Sequence, residues 1–206
     1  MGIKGLKGFT MIELLLVIAV AGMFAAMAIP SLDGLVKRNR IVSVTNDFLA
    51  TYQLARDEAM LRGRRVTVCR RQQPATETAV CTNANLGDDA HCSCATSNSP
   101  ATADGWEDGW LVFEDTNENN VADNGEALIR VYDPINGLFT VRDADGSPHN
   151  SRVFFEPDGT SIAGSLQVCL VGTDTAADSE RIRTARRILV SRIGQANILN
   201  GVGCDV

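Results

Sequence analysis

Three sets of residues in this 206-residue chain could do chemistry. The first is one carboxylate, Glu13, in the otherwise uncharged run from Phe9 to Ile29. Placing a carboxylate in hydrocarbon costs roughly 2.5–3.5 kcal/mol, so such a residue answers to a cation or to a function. The second set is six cysteines: Cys69, Cys81, Cys92, Cys94, Cys169 and Cys204. The third is the segment from Asp115 to Glu126. There Asp115, Asn117, Asn119, Val121 (by its backbone oxygen), Asp123 and Glu126 fall at the ligand spacing of a calcium loop.

The second and third sets each have a plainer reading. An even number of cysteines in an exported domain points to disulfides. Cys92-x-Cys94 beside His91 invites zinc, but no further pair completes a tetrahedral set. Among the open pairings we expect Cys169–Cys204, which would pin the C-terminus to a strand, and Cys69 bonded within the 81–94 loop. In the third set Asn120 stands where a calcium loop carries glycine, although asparagine tolerates the left-handed conformation. The flanks read as strands rather than helices. An Asn/Asp-rich hairpin loop that hydrogen-bonds its own backbone fits the same residues. No catalytic set stands out. His91 and His149 are the only histidines, both in loop-like sequence, so we expect no enzyme and no cofactor, with calcium as the one candidate.

The elements that carry these residues begin with the apolar run. It is about 20 residues long, enough to span a bilayer as one helix, and Lys4 and Lys7 precede it. Three readings compete. One is a secretory signal ending at Ala26-Met27-Ala28; another is a plain anchor. The third is a short leader, Met1 to Gly8, cut before Phe9 so that the apolar helix stays on the mature chain. Glu13 separates them, because it harms the first two. In the third, the cut frees the Phe9 α-amino group, one helical turn from Glu13 or within reach of it on a staggered neighbour.

The run Lys7-Gly8-Phe9-Thr10-Met11-Ile12-Glu13-Leu14 resembles the class III signal of type IV pilins and type II secretion pseudopilins. The resemblance implies that a prepilin peptidase cuts between Gly8 and Phe9 and N-methylates Phe9. It implies that Glu13 guides docking into a helical filament of other pilins. It also implies a single pass through the bacterial inner membrane, with the globular domain in the periplasm and later in a pilus or pseudopilus.

Pro30 comes just after the run, and in the resembled family a proline here kinks a long helix. Helical periodicity resumes at once through Ile41, Val44, Phe48, Thr51/Tyr52, Ala55 and Ala59, an apolar stripe at spacings of three and four. One helix is therefore expected from Phe9 to near Arg62, ending at Gly63, about 80 Å long at a rise of about 1.5 Å per residue. Its first half cannot pack on its own domain and needs lipid or other helices. This divides the chain into a leader (1–8), a membrane or filament-core helix (9–29), an amphipathic half (30–63) and a globular domain (64–206).

Strands are expected at Arg65–Arg70, then within Gly105–Asp115, and at Ala127–Tyr132, Leu138–Arg142, Arg152–Phe155, Leu166–Leu170, Arg187–Ile193 and Gln195–Leu199, with turn formers between them. Trp110, Val112 and Leu128 are expected to point inward together. The stretch 72–102, with almost no large apolar residue, reads as a loop held by disulfides rather than by a core. A long helix and then many short strands give an α+β fold, the helix laid on antiparallel sheet.

The second half resembles the GspH/FimT group of minor pilins and pseudopilins. Its carriers are Cys69, the Gly109-to-Asp115 segment, Asn117, Glu126 before Leu128-Ile129, Phe155, Gly159, Cys169 and the run Arg187 to Gly194. The resemblance implies a minor pilin that primes pilus assembly near the tip, or the equivalent type II secretion pseudopilin. Some members of the group bind DNA through a Gly-Arg-x-Arg patch, but Gly194-Gln195-Ala196-Asn197 lacks both arginines. Phosphate contacts supply most non-specific affinity. A formal charge of −6 argues the same way, although Arg181, Arg183, Arg186, Arg187 and Arg192 make the C-terminal region locally basic.

Overall fold

The computed structural model describes residues 9–72, 80–88, 92–95, 105–135, 139–143, 152–162, 164–170 and 185–200. A helix, α1, runs from Met11 to Arg62. Pro30 lies inside this run; the side chains of residues 25–34 are outside the described set. The helix ends at Gly63, whose φ of 63° is the left-handed geometry that glycine adopts at no steric cost. Its N–H closes the last turn on the Ala59 carbonyl at 3.0 Å. The chain divides into two compact units, with the break between Arg40 and Ile41.

In the second unit, α1 leads into eight strands: β1 Val66–Arg70, β2 Trp110–Glu114, β3 Ala127–Tyr132, β4 Phe139–Asp143, β5 Arg152–Phe155, β6 Gly164–Leu170, β7 Arg186–Val190 and β8 Ala196–Asn200. They form two antiparallel sheets of four, ordered β3-β2-β1-β5 and β4-β6-β7-β8. The α+β expectation holds, and each strand falls within a few residues of its predicted bounds. A 3-10 turn, Trp106–Asp108, precedes β2. Its Glu107 binds the segment after β3 and the second sheet: the backbone carbonyl accepts the Ile135 N–H at 2.8 Å, and Oε2 accepts the Val141 N–H of β4 at 3.0 Å.

The main core joins α1 to both sheets. Ile41, Val44, Phe48, Tyr52, Ala55 and Ala59 meet Val66, Val68, Trp110, Val112, Val153 and Phe155 of one sheet and Val141, Leu166, Val168, Ile188 and Val190 of the other. Phe48 stacks on Trp110 with ring centroids 4.1 Å apart and meets the edge of Trp106 at 5.9 Å. Such aromatic pairs add about 0.5–1.5 kcal/mol beyond their buried area. The Trp110 indole N–H donates to Thr51 Oγ1 at 3.1 Å, so the polar atom of this buried ring is satisfied.

A second core corrects two expectations. The opposite faces of β1 and β2 are also buried, where Cys69, Leu111 and Phe113 pack with Leu86, Cys94 and Ala122, and with the partly buried Leu128. Leu128 therefore does not share a face with Trp110 and Val112. The pairing of β2 with β3 shifts register between Val112 and Phe113, so that Phe113 faces Leu128; one extra residue in a strand reverses the face of every residue beyond it. The cysteine-rich stretch likewise contributes to a core through Leu86, and is not held by disulfides alone.

Candidate functional site

The N-terminal constellation starts from how α1 begins. Thr10 lies just before the first helical residue, and its hydroxyl and carbonyl oxygens accept the Glu13 N–H at 3.3 Å and 3.1 Å. This is an N-cap, which supplies a partner to an otherwise unbonded donor. The spacing Thr10-x-x-Glu13 is that of a capping box, a local signal that the pilin-like motif overshadows. Every side chain from Phe9 to Phe24 is exposed, including Phe9, Met11, Ile12, Leu14, Leu15, Leu16, Val17, Ile18, Met23 and Phe24. Among the described residues no ion pair involves Glu13. Gly8 lies outside the described residues. Among those described, no helix is long and apolar enough to cross a membrane.

The loop from Asp115 to Glu126 folds around its own side chains. Asp115 is buried; its Oδ1 accepts the Asn119 N–H at 3.1 Å, and its Oδ2 accepts the Asn120 N–H and the Thr67 hydroxyl of β1, each at 2.9 Å. Asn117 and Asn119 both donate to Asp123 Oδ2, at 2.8 and 2.7 Å. Val121 donates its N–H to Asn119 Oδ1 at 2.7 Å. Glu126 Oε1 accepts the Thr116 N–H at 2.9 Å, and Oε2 accepts the Asp123 N–H at 3.1 Å. Burial pushes the Glu126 carboxyl above the ordinary glutamate range, opposed by these N–H groups. Glu118 and Asn120 both sit at φ 59°, so the position where a calcium loop uses glycine is left-handed here with asparagine in it. The six residues are thus brought into one loop. Among the described residues, however, no three His, Cys, Asp or Glu side chains group as for a metal ion.

Disulfides join Cys69 to Cys94 and Cys81 to Cys92. The expected bond from Cys69 into the 81–94 loop is present. Both cysteines of the Cys-x-Cys pair are taken up in these two disulfides. Cys169 is disulfide-bonded; Cys204, its expected partner, lies outside the described residues, as do His91 and His149. The bonded loop is docked by residues that the sequence alone does not single out. Asn83 Oδ1 accepts the Leu128 N–H of β3 at 2.7 Å, and Asn124 Nδ2 donates to Asp88 Oδ2 at 2.8 Å. Gly87 (φ 83°) runs so close to the neighbouring loop that a Cβ would sit 2.5 Å from the Ala122 carbonyl oxygen. The long gaps between these positions leave no local signal.

Gly194, Gln195, Ala196 and Asn197, which stand where some members of the resembled group carry Gly-Arg-x-Arg, line an open cleft of about 460 Å³ with Gln53, Arg56 and Asp57. Its charges are of both signs, and Arg56 Nε donates to the Gly159 carbonyl at 3.2 Å.

Comparison with known proteins agrees with this architecture. The family model described as type II transport protein GspH matches residues 44–194, and that of the prokaryotic N-terminal methylation motif matches residues 4–29. A fimbrial protein of Pseudomonas aeruginosa is 33% identical over 63 residues, 31% of this chain and 40% of that protein. A type IV major alpha-pilin of Moraxella bovis is 38% identical over 58 residues, 28% of this chain and 36% of that one. The chain thus spans less than half the length of the curated relatives it matches. Among solved structures, the type IV minor pilin FimU of Pseudomonas aeruginosa shares the fold at a TM-score of 0.50. It is 14% identical, with 81% of this chain and 93% of that one covered.

Proposed function

This chain belongs to the GspH family and is a type IV minor pilin or pseudopilin, and from that premise we propose that it is a minor pilin of a type IV pilus that primes assembly near the tip. On this reading a prepilin peptidase removes Met1 to Gly8 and methylates Phe9, the apolar helix holds the chain in the inner membrane, and the globular domain stands in the periplasm. The observation that carries the reading is the exposed apolar start of α1 with one carboxylate and, among the described residues, no cation paired to it. A freed Phe9 amino group on a neighbouring subunit supplies that cation. In a low-dielectric filament core an opposite charge at about 4 Å is worth several kcal/mol, against about 1 kcal/mol in water. Staggered stacking thereby acquires a register. Ala19 and Gly22 add small surfaces that let such helices approach closely. The role is structural: the chain is the substrate of a processing enzyme rather than an enzyme. Its partners are other pilins, and nucleic acid is not among them.

The family match itself favours a second reading, in which the same chemistry serves the short pseudopilus of a type II secretion system. The filament with which the tagged protein copurifies separates the two.

Glu13→Ala tests the mechanism common to both. Cleavage at Gly8 should persist and the melting temperature of the domain should not move, while incorporation into sheared filaments falls to near zero on immunoblots. Wild-type incorporation of the variant would sink the proposal.

A further inference from the structure

The two described disulfides differ in surroundings. Cys69, Cys92 and Cys94 are buried, while Cys81 is half-buried, the most exposed residue of the four. Beside it lies a cation in an unusual place. Arg71 is fully buried, and its Nη2 donates to Cys81 Sγ at 3.4 Å. Arg71 is held there by its backbone: its N–H bonds the Gly109 carbonyl at 3.0 Å, and it bridges Cys94 across the sheet. A guanidinium stays charged under all ordinary conditions. A neighbouring cation favours thiolate over thiol, so it stabilises the reduced form and makes Cys81 the better leaving group in the step that releases it.

We propose that Cys81–Cys92 is a thiol-exchange site that a dithiol reductant opens in preference to Cys69–Cys94, with Arg71 holding the Cys81 thiolate. In the first step a thiolate of the reductant attacks Cys81 Sγ. The Cys81–Cys92 bond breaks, and Cys92 leaves with the electron pair and takes up a proton. In the second, the reductant's other thiolate attacks its own sulfur in the mixed disulfide and expels the Cys81 thiolate beside Arg71. The chain gains two electrons as a dithiol and the reductant becomes a disulfide. The same steps in reverse, with a dithiol–disulfide oxidoreductase in its oxidised form, close the bond. Opening frees the segment that carries Asn83, Gly87 and Asp88, so the docking of the cysteine loop on β3 and on the Asp115–Glu126 loop tracks the redox state. Cys69–Cys94 keeps its place in the second core.

The test is differential alkylation of the full chain in mild detergent during titration with dithiothreitol, read by peptide mass spectrometry. Cys81 and Cys92 should become alkylated while Cys69 and Cys94 remain bonded. Arg71→Gln should raise the dithiothreitol concentration needed for that opening by roughly threefold to tenfold and leave Cys69–Cys94 unchanged. Simultaneous opening, prior opening of Cys69–Cys94, or an unaltered midpoint in R71Q would each overturn the assignment. Should R71Q not fold, the full chain with Cys92→Ser keeps Cys81 beside Arg71. Its alkylation rate against pH should then show a midpoint below the ordinary thiol value of about 8.5; a midpoint at or above that value would overturn it equally.

Discussion

Two stretches of one helix meet opposite surroundings. From Phe9 to Phe24 every side chain is exposed, whereas from Ile41 to Ala59 every third or fourth is buried under the chain's own sheets. Phe24 is 70% exposed and Phe48 is 0% exposed. The difference lies in pattern more than in apolar content. The first stretch is greasy on all sides apart from Glu13, so no rotation of the cylinder hides it. The second alternates a stripe of Ile41, Val44, Phe48, Tyr52, Ala55 and Ala59 with Lys37, Arg38, Arg40, Asp57 and similar residues, so one face can be buried and the other wet. A single domain supplies a partner for a stripe. A rod that is apolar all round needs lipid or copies of itself.

The largest effect that sharpens this contrast is a matched pair of truncations. Phe48→Ala should lower the stability of the domain by about 3–5 kcal/mol, read by denaturant melts in detergent. Phe24→Ala should leave the same melt where it was. Equal shifts would erase the distinction between the two stretches.

A smaller effect concerns the loop on the other side of the sheet from α1. Burial raises the folded Glu126 carboxyl above its unfolded value. Between the two values the folded chain holds the extra proton, so the contribution of Glu126 is fully present below the unfolded range and is lost as pH rises through the folded one. Thermal melts across the acid range should therefore show the wild type losing ground against Glu126→Gln as pH climbs through that window. A difference of constant size, or one growing the other way, would refute the linkage.

The smallest effect is expected from calcium. The oxygens of Asp115, Asn119 and Glu126 already accept N–H groups of their own loop, so calorimetric titration of the full chain should give neither heat nor a melting shift. Stoichiometric heat would show that the loop opens for the ion.

Much of the fold is legible in the residues, because periodicity writes burial directly. The stripe on α1 and the ends of β3 and β5 come from spacings of three to four and of two, with turn formers at the breaks. Glu13 stands out in the sequence as a lone charge among apolar residues, and its proposed role rests on the Glu13→Ala test. Leu128 is misplaced by sequence reasoning because a bulge between Val112 and Phe113 carries no marker in composition. Leu86 escapes it because one apolar residue in a polar loop has no period to betray it. Asn83, Gly87 and Arg71 act through partners far along the chain or across the sheet, and their chemistry exists only once Leu128, Ala122 and Cys81 have been brought to them.

On the proposed reading, the chain is also a link that must bear load. Glu107 ties the segment after β3 and the first strand of the second sheet to one short turn, and Trp106 beside it is pressed against Phe48 of α1. A pull on the second half of the helix is therefore shared between both sheets, through this turn and through the core that Ile41 to Ala59 make with each of them.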